Sequence, residues 1–328
     1  MTPERPRVHV IALGGTIAMT GSPARPARSG EELVAAVPGL GDIADVSVEQ
    51  LSNVPGSELT PRAMAEAVAA AERAADDGAA GIVVLQGTDT IEESADLAAL
   101  VWRSEAPIVF TGAMRPGGAV SADGPGNLLD AVALAASPTA QGAGSLVCFD
   151  GLVHAGHEAV KSHSWRTEGF ASDAPLGRVR EGLPELTAPR PRPRPLGAVA
   201  DALRGDLEAH VPIVTAAAGI DSRPIDAALA EGVAALVVVA LGAGHLPTPM
   251  LPALDRALAG GLPVAVCART HLGGTLTRTY GFEGSESDLA RRGAILAGAA
   301  SPLKARIRLV TGLALGADPA RAVKAAGP

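Results

Sequence analysis

Aromatic side chains are nearly missing from this chain, which has 4 Phe, 2 Trp and a single tyrosine, Tyr280, in 328 residues. A core built without them is filled by Ala, Val and Leu, and small side chains of that kind suit helices laid closely on sheets. Cysteine is equally scarce. Cys148 and Cys267 lie in the apolar strand-like runs Ser145–Phe149 and Pro263–Cys267, so both read as small buried hydrophobes and not as a disulfide or a metal pair. No run of about 18 unbroken apolar residues occurs, which excludes a membrane-spanning helix. No apolar leader with a small-residue cleavage site precedes the first strand, and the expected location is cytoplasmic. Lys and Arg are outnumbered 27 to 35 by Asp and Glu, and the net charge of -8 disfavours a nucleic-acid partner.

Motif absences narrow the chemistry. The chain has no Gly-Lys-Ser/Thr phosphate loop, no Gly-x-Gly-x-x-Gly after a strand and no Gly-x-Ser-x-Gly elbow. His154 and His157 are three apart, as on one helical face, but no carboxylate or cysteine completes a metal site at recognisable spacing. Neither a metal nor a cofactor is expected.

What the chain does have is one gesture made three times. Val8–Leu13 runs into Gly14-Gly15-Thr16, Ile82–Leu85 into Gln86-Gly87-Thr88-Asp89-Thr90, and Pro107–Thr111 into Gly112-Ala113-Met114-Arg115-Pro116. Each is a buried strand followed by a turn, and two of the turns deliver a hydroxyl. Asn53–Leu59 is a further strand-end loop, with Ser57 and Glu58. In an open parallel sheet such ends line the ligand crevice. A threonine nucleophile needs a proton acceptor within hydrogen-bond reach; Asp89 and Lys161 are candidates, although a lysine is more often a solvated surface charge.

Strand and helix alternate through the rest. Residues 19–30 read as a long loop without periodic pattern, 31–37 as a short helix, 46–51 as a strand and 60–77 as a long alanine-rich helix. Helices are expected over 91–103 and from 124 to about 136. This is the pattern of a doubly wound α/β fold in two domains, the N-terminal one larger. The proline alternation Pro189–Pro195 favours extended backbone, so the expected division is a catalytic domain 1–188, a linker 189–210 and a second α/β domain 211–328.

These residues carry a resemblance. Leu13–Ala18 and Gln86–Glu93 look like the two signatures of the bacterial-type L-asparaginase family, and Thr111–Pro116 and Ser121–Asn127 are similar to two further family stretches. The resemblance implies cofactor-free hydrolysis of L-asparagine to L-aspartate and ammonia through a threonyl acyl-enzyme. It makes Thr16 the nucleophile and Thr88, Asp89 and Lys161 a second triad. Ser57 matches the serine that holds the substrate α-carboxylate, and Asp89 suits the α-ammonium. Glu58 stands where many members have glutamine, and Ala113 falls in a substrate-contacting stretch. His245 and Glu286 match positions that reach a neighbouring subunit's site, which implies a homo-oligomer, dimer or tetramer. Many relatives carry a tyrosine in the loop after the first threonine; residues 19–30 have none. Alternatives within this resemblance are a broad glutaminase-asparaginase, an amidotransferase subunit acting on a transfer RNA, and a non-catalytic amino-acid sensor.

Overall fold

The computed structural model describes residues 5–21, 23–187 and 192–325. The chain divides into two compact units, Met1–Val199 and Ala200–Pro328.

The first unit holds strands β1 (Arg7–Gly14), β2 (Met19–Thr20), β3 (Arg25–Pro26), β4 (Asp45–Val54), β5 (Gly81–Leu85), β6 (Ile108–Thr111), β7 (Ser145–Phe149), β8 (Leu152–Ala155), β9 (Val160–Lys161), β10 (Phe170–Ala171), β11 (Gly177–Arg180) and β12 (Leu183–Leu186). Its helices are α1 (Gly30–Ala35), α2 (Leu40–Ile43), α3 (Pro61–Asp76), α4 (Ile91–Val101) and α5 (Gly124–Ala136). The main sheet runs β12-β11-β8-β7-β6-β5-β1-β4. From β7 to β4 the pairs are parallel, and β8, β11 and β12 add an antiparallel edge. The chain moves outward from β1 to β4 and then returns to β5 on the other side of β1, so the winding reverses at β1 and β5. Ligand crevices in such sheets open at that reversal, beyond the carboxyl ends of the strands.

Local sequence explains the main pieces. All five residues of β5 are buried, as a central strand covered on both faces requires. Helix α3 starts where the Thr60 side chain accepts the Ala63 N–H, with Pro61 in the first turn, and it buries Met64, Ala65, Val68 and Ala71 along one stripe. It packs beside α4, while α5 lies with α2. The core on the α5 side joins Val8 and Val10 of β1 to Leu128, Ala131 and Val132 of α5 and Leu33 of α1. Both faces of the sheet are therefore covered, mostly by small and branched side chains. Cys148 and Cys267 are buried and free; burial pushes the Cys267 thiol up to about 12 and the Cys148 thiol further.

The second unit has a parallel sheet β13 (Ile213–Thr215), β14 (Leu236–Ala240), β15 (Val264–Ala268) and β16 (Ile295–Leu296), ordered as in the chain. Helix α6 (Val199–Arg204) precedes it, and α7 (Arg223–Ala230), α8 (Leu251–Ala259), α9 (Glu286–Arg292), α10 (Pro302–Ala314) and α11 (Pro319–Lys324) complete it. One core cluster gathers Ile225 of α7, Leu254 of α8 and Leu289 of α9 against Leu236, Val238 and Val266.

Three expectations are modified. Residues 19–30 are not a patternless loop: β2 and β3 form a small antiparallel hairpin, and Ala18 O accepts the N–H groups of Ala27 and Arg28. His154 and His157 do not share a helix. Asp150 and Gly151 both take positive φ, 49° and 74°, which turns β7 back into β8 and places His154 in a strand, its Nδ1 2.8 Å from Ser172 Oγ. Within the expected linker, residues 189–191 lie outside the described residues. Arg192 donates to Ser104 O at 2.7 Å, and Val199–Arg204 are helical.

Candidate active site

Glycine contacts bring three strand ends together. Gly14 and Gly15 have φ of 102° and 85°, a region closed to most side chains, so β1 can turn sharply before Thr16. A Cβ on Gly15 would lie 2.2 Å from Gly87 N, and one on Gly87 would lie 2.5 Å from Gly56 Cα. The backbones leaving β1, β5 and β4 thus touch, and the residues after these glycines, Thr16, Thr88 and Ser57, emerge at one edge of the sheet. Gly15 N–H donates to Val54 O at 2.9 Å, and Thr90 Oγ1 donates to Gly56 O at 3.0 Å, fixing the same junction.

At this edge Lys161 of β9 links two residues of the β5 turn. Its Nζ lies 2.9 Å from Thr88 Oγ1 and 2.6 Å from Asp89 Oδ1. Thr88 is 5% exposed, and the Lys161 side chain 20%, while the Asp89 side chain is 63% exposed. The hydroxyl and the amine are thus held out of bulk water and the carboxylate faces it, an arrangement that leaves Asp89 available to a ligand. An ammonium donating to a threonine oxygen lowers the cost of negative charge there.

Residues that sequence reasoning left without a role set this geometry. Glu92, buried in the first turn of α4, accepts the Lys161 backbone N–H on Oε2 at 2.7 Å. In sequence, Glu92-Glu93 reads only as acid at a helix N-terminus. Asp123 accepts the N–H groups of Met114 and Arg115, both at 2.9 Å, and Asn127 Nδ2 donates to Gly112 O at 3.0 Å. Together they shape the loop that carries buried Ala113. The signal was the 121–127 stretch itself, whose polar residues repeat at a helical interval of four.

Ser57 and Glu58 lie in a single turn after β4, both exposed. Thr16 opens a short turn after β1 and is half-buried.

In the second unit, His245 Nε2 lies 3.5 Å from Glu286 Oε2. The Glu286 carboxylate is fully buried at the start of α9, and its Oε1 accepts the N–H groups of Thr279 and Tyr280, both at 2.7 Å. Burial pushes this carboxyl up, but those amides and the neighbouring imidazole outweigh it and hold it below the usual carboxylate value. The His245 ring packs edge-on against Tyr280 at 4.8 Å and Phe282 at 5.0 Å. Tyr280 is 42% exposed and so is not a core residue. Among the described residues no group of three or more His, Cys, Asp or Glu is placed to hold a metal ion.

The family model described as "Asparaginase, N-terminal" matches residues 7–192, and that described as "Glutaminase/Asparaginase C-terminal domain" matches 210–325. This chain belongs to the bacterial-type L-asparaginase family. Among its asparaginase relatives, a probable L-asparaginase of Deinococcus radiodurans is 37% identical over 97% of this chain and 96% of its own. A glutaminase-asparaginase of Pseudomonas aeruginosa is 32% identical over 92% of this chain and 84% of its own. The crystal structure of a probable cytoplasmic L-asparaginase from Campylobacter jejuni superposes with a TM-score of 0.86 at 29% identity, covering 98% of each chain. The two-unit asparaginase architecture is therefore shared along nearly the whole chain.

Proposed function

We propose that this chain is a cytoplasmic L-asparaginase that hydrolyses L-asparagine to L-aspartate and ammonia, with no cofactor. The observation that carries the reading is the hydrogen-bonded set Thr88, Lys161 and Asp89 at the sheet edge where Thr16 emerges. Thr16 Oγ attacks the side-chain carboxamide carbon, its proton passes to the departing nitrogen, and ammonia leaves an ester on Thr16. Water, activated beside Thr88 and Lys161, then attacks that ester; its proton returns to Thr16 and aspartate is released. The backbone N–H of Thr88, at a strand-to-helix turn, stabilises the tetrahedral oxyanion. Ser57 holds the α-carboxylate and Asp89 the α-ammonium, with Glu58 and Ala113 completing the pocket.

A homo-oligomer, dimer or tetramer, completes each site by lending His245 and Glu286 to the neighbouring subunit. The ordered His245, Glu286 and Tyr280 cluster, flanked by exposed Phe282, supports that role. The domain division proposed is 1–188 and 211–328, joined by 189–210, a segment that is helical at Val199–Arg204.

A second reading, glutaminase-asparaginase, is favoured by the exposed turn that carries Ser57 and Glu58. Ammonia release from L-asparagine and from L-glutamine by the wild-type protein tests both. Asparaginase predicts turnover of the first in clear excess. Equal rates assign the broader activity, and no ammonia from either with retained L-aspartate binding contradicts the enzyme and identifies a sensor.

A further inference from the structure

Thr90 stands where a helix cap belongs and spends its hydroxyl elsewhere. It is the residue that precedes the first turn of α4. A threonine oxygen at that position ordinarily accepts a backbone N–H of the turn, as Thr60 accepts from Ala63 at the start of α3. The Thr90 side chain makes no such capping bond. Its hydroxyl leaves the helix and donates to Gly56 O at 3.0 Å, 34 residues back in the chain.

Neighbouring groups fix the direction of that bond. A carbonyl oxygen can only accept, so the single hydroxyl proton goes to Gly56 O. The Thr90 oxygen in turn accepts from Gln86 Nε2 at 3.3 Å, and Gln86 is fully buried at the end of β5. Gly56 O has room for two donors, and the other is the Leu59 N–H at 3.3 Å. The Leu59 bond closes the turn on itself. The Thr90 bond ties the turn to the element that carries Thr88 and Asp89.

The Gly56 carbonyl and the Ser57 nitrogen belong to one planar peptide. Holding that oxygen therefore sets the plane from which Ser57 starts, in an exposed turn of three residues, Gly56–Glu58. Lys161 is held by other bonds, its N–H by Glu92 and its Nζ by Thr88 and Asp89. Loss of the Thr90 hydroxyl thus falls on the Ser57 turn and spares the Lys161 set. We infer that Thr90 is a positioning residue for substrate recognition: through Gly56 it holds Ser57 where the α-carboxylate binds, and it sets affinity for L-asparagine and L-aspartate without entering the chemistry. This inference rests on the asparaginase reading, in which Ser57 anchors that carboxylate.

Steady-state ammonia release from L-asparagine and calorimetric titration with L-aspartate, on wild type, Thr90→Val and Thr90→Ser, test it. Thr90→Val nearly keeps the side-chain shape and removes the hydroxyl. Losing one neutral hydrogen bond predicts a rise in KM of about 5- to 10-fold in Thr90→Val and a matching loss of L-aspartate affinity, with kcat within about twofold of wild type. Thr90→Ser keeps the donor and should stay within about twofold of wild type on every count. Melting curves show that both variants are folded. A wild-type protein that releases no ammonia contradicts the asparaginase reading, while the L-aspartate titration still tests Thr90. KM and L-aspartate affinity unchanged in Thr90→Val, kcat falling as far as KM rises, or Thr90→Ser as impaired as Thr90→Val would overturn the proposal.

Discussion

The buried carboxylate of Glu92 holds the backbone of Lys161: Oε2 accepts its N–H at 2.7 Å, while Lys161 Nζ reaches Thr88 and Asp89. One side chain at the start of α4 therefore sets where the β9 amine stands. Glu92→Ala leaves the part-buried Lys161 N–H without this acceptor, at up to about 1 kcal/mol, and lets the amine drift; a shift of about 1 Å at a reacting group costs on the order of 100-fold. We expect kcat for L-asparagine to fall about 10- to 100-fold with KM little changed. Glu92→Gln keeps an acceptor oxygen and retains most activity. Steady-state kinetics of the two variants, with melting curves as a check on folding, decide it.

Gly15→Ala should disrupt the junction of the three strand ends. The new Cβ meets backbone of Gly87 at 2.2 and 2.3 Å, where no rotamer change gives relief, and φ at this position is 85°. The expected outcome is loss of asparagine turnover together with a lower melting temperature. Gly118→Ala serves as the control, since a Cβ there meets nothing within 4 Å, and it should leave both unchanged.

Asp130 gives a pH signature in stability. Burial, and then the nearby Asp150 carboxylate, raise its pKa to about 6. The folded chain thus holds this proton more tightly than the unfolded chain, whose Asp titrates near about 4. Its stabilising contribution is full below about pH 4 and is lost as pH rises through about 6. Asp130→Asn removes that loss. After allowance for solvent screening at a partly exposed site, we expect about 1 kcal/mol above pH 6, or roughly 2–4 °C in Tm, with the gap closing toward pH 4. Calorimetric melting of both proteins from about pH 4 to 8 checks the sign.

If His245 and Glu286 serve a neighbouring subunit's site, activity follows assembly. Specific activity should fall as the protein is diluted below its assembly constant, in step with the oligomer fraction seen by sedimentation. Undiminished activity from a true monomer contradicts the shared site.

Much of the frame was legible because local chemistry decides it. Runs of Val and Ile ending in Gly and Thr announced β1 and β5, and Thr60-Pro61 before an alanine-rich stripe announced α3. The antiparallel edge was hidden. Residues 154–157 carry histidines at helical spacing, and only the Asp150-Gly151 pair, with φ of 49° and 74°, signals the hairpin that makes His154 a strand residue. Contacts within the site were hidden for another reason. Glu92 and Lys161 are 69 residues apart, and Gly15 meets Gly87 only because β1 and β5 pair. Such contacts belong to tertiary packing, which no short stretch of sequence encodes. The hairpin in residues 19–30 was missed because Gly, Pro and Arg carry no alternation.

In the proposed mechanism Thr16 attacks and Lys161, through Thr88, drives turnover. Ammonia release from L-asparagine by wild type, Thr16→Ala, Thr88→Ala and Lys161→Met tests it most directly. Each variant should lose kcat by about 1,000-fold or more, because groups acting as one unit fail together. Turnover of L-asparagine within tenfold of the wild-type rate by Lys161→Met, folded and assembled as wild type, would contradict this mechanism.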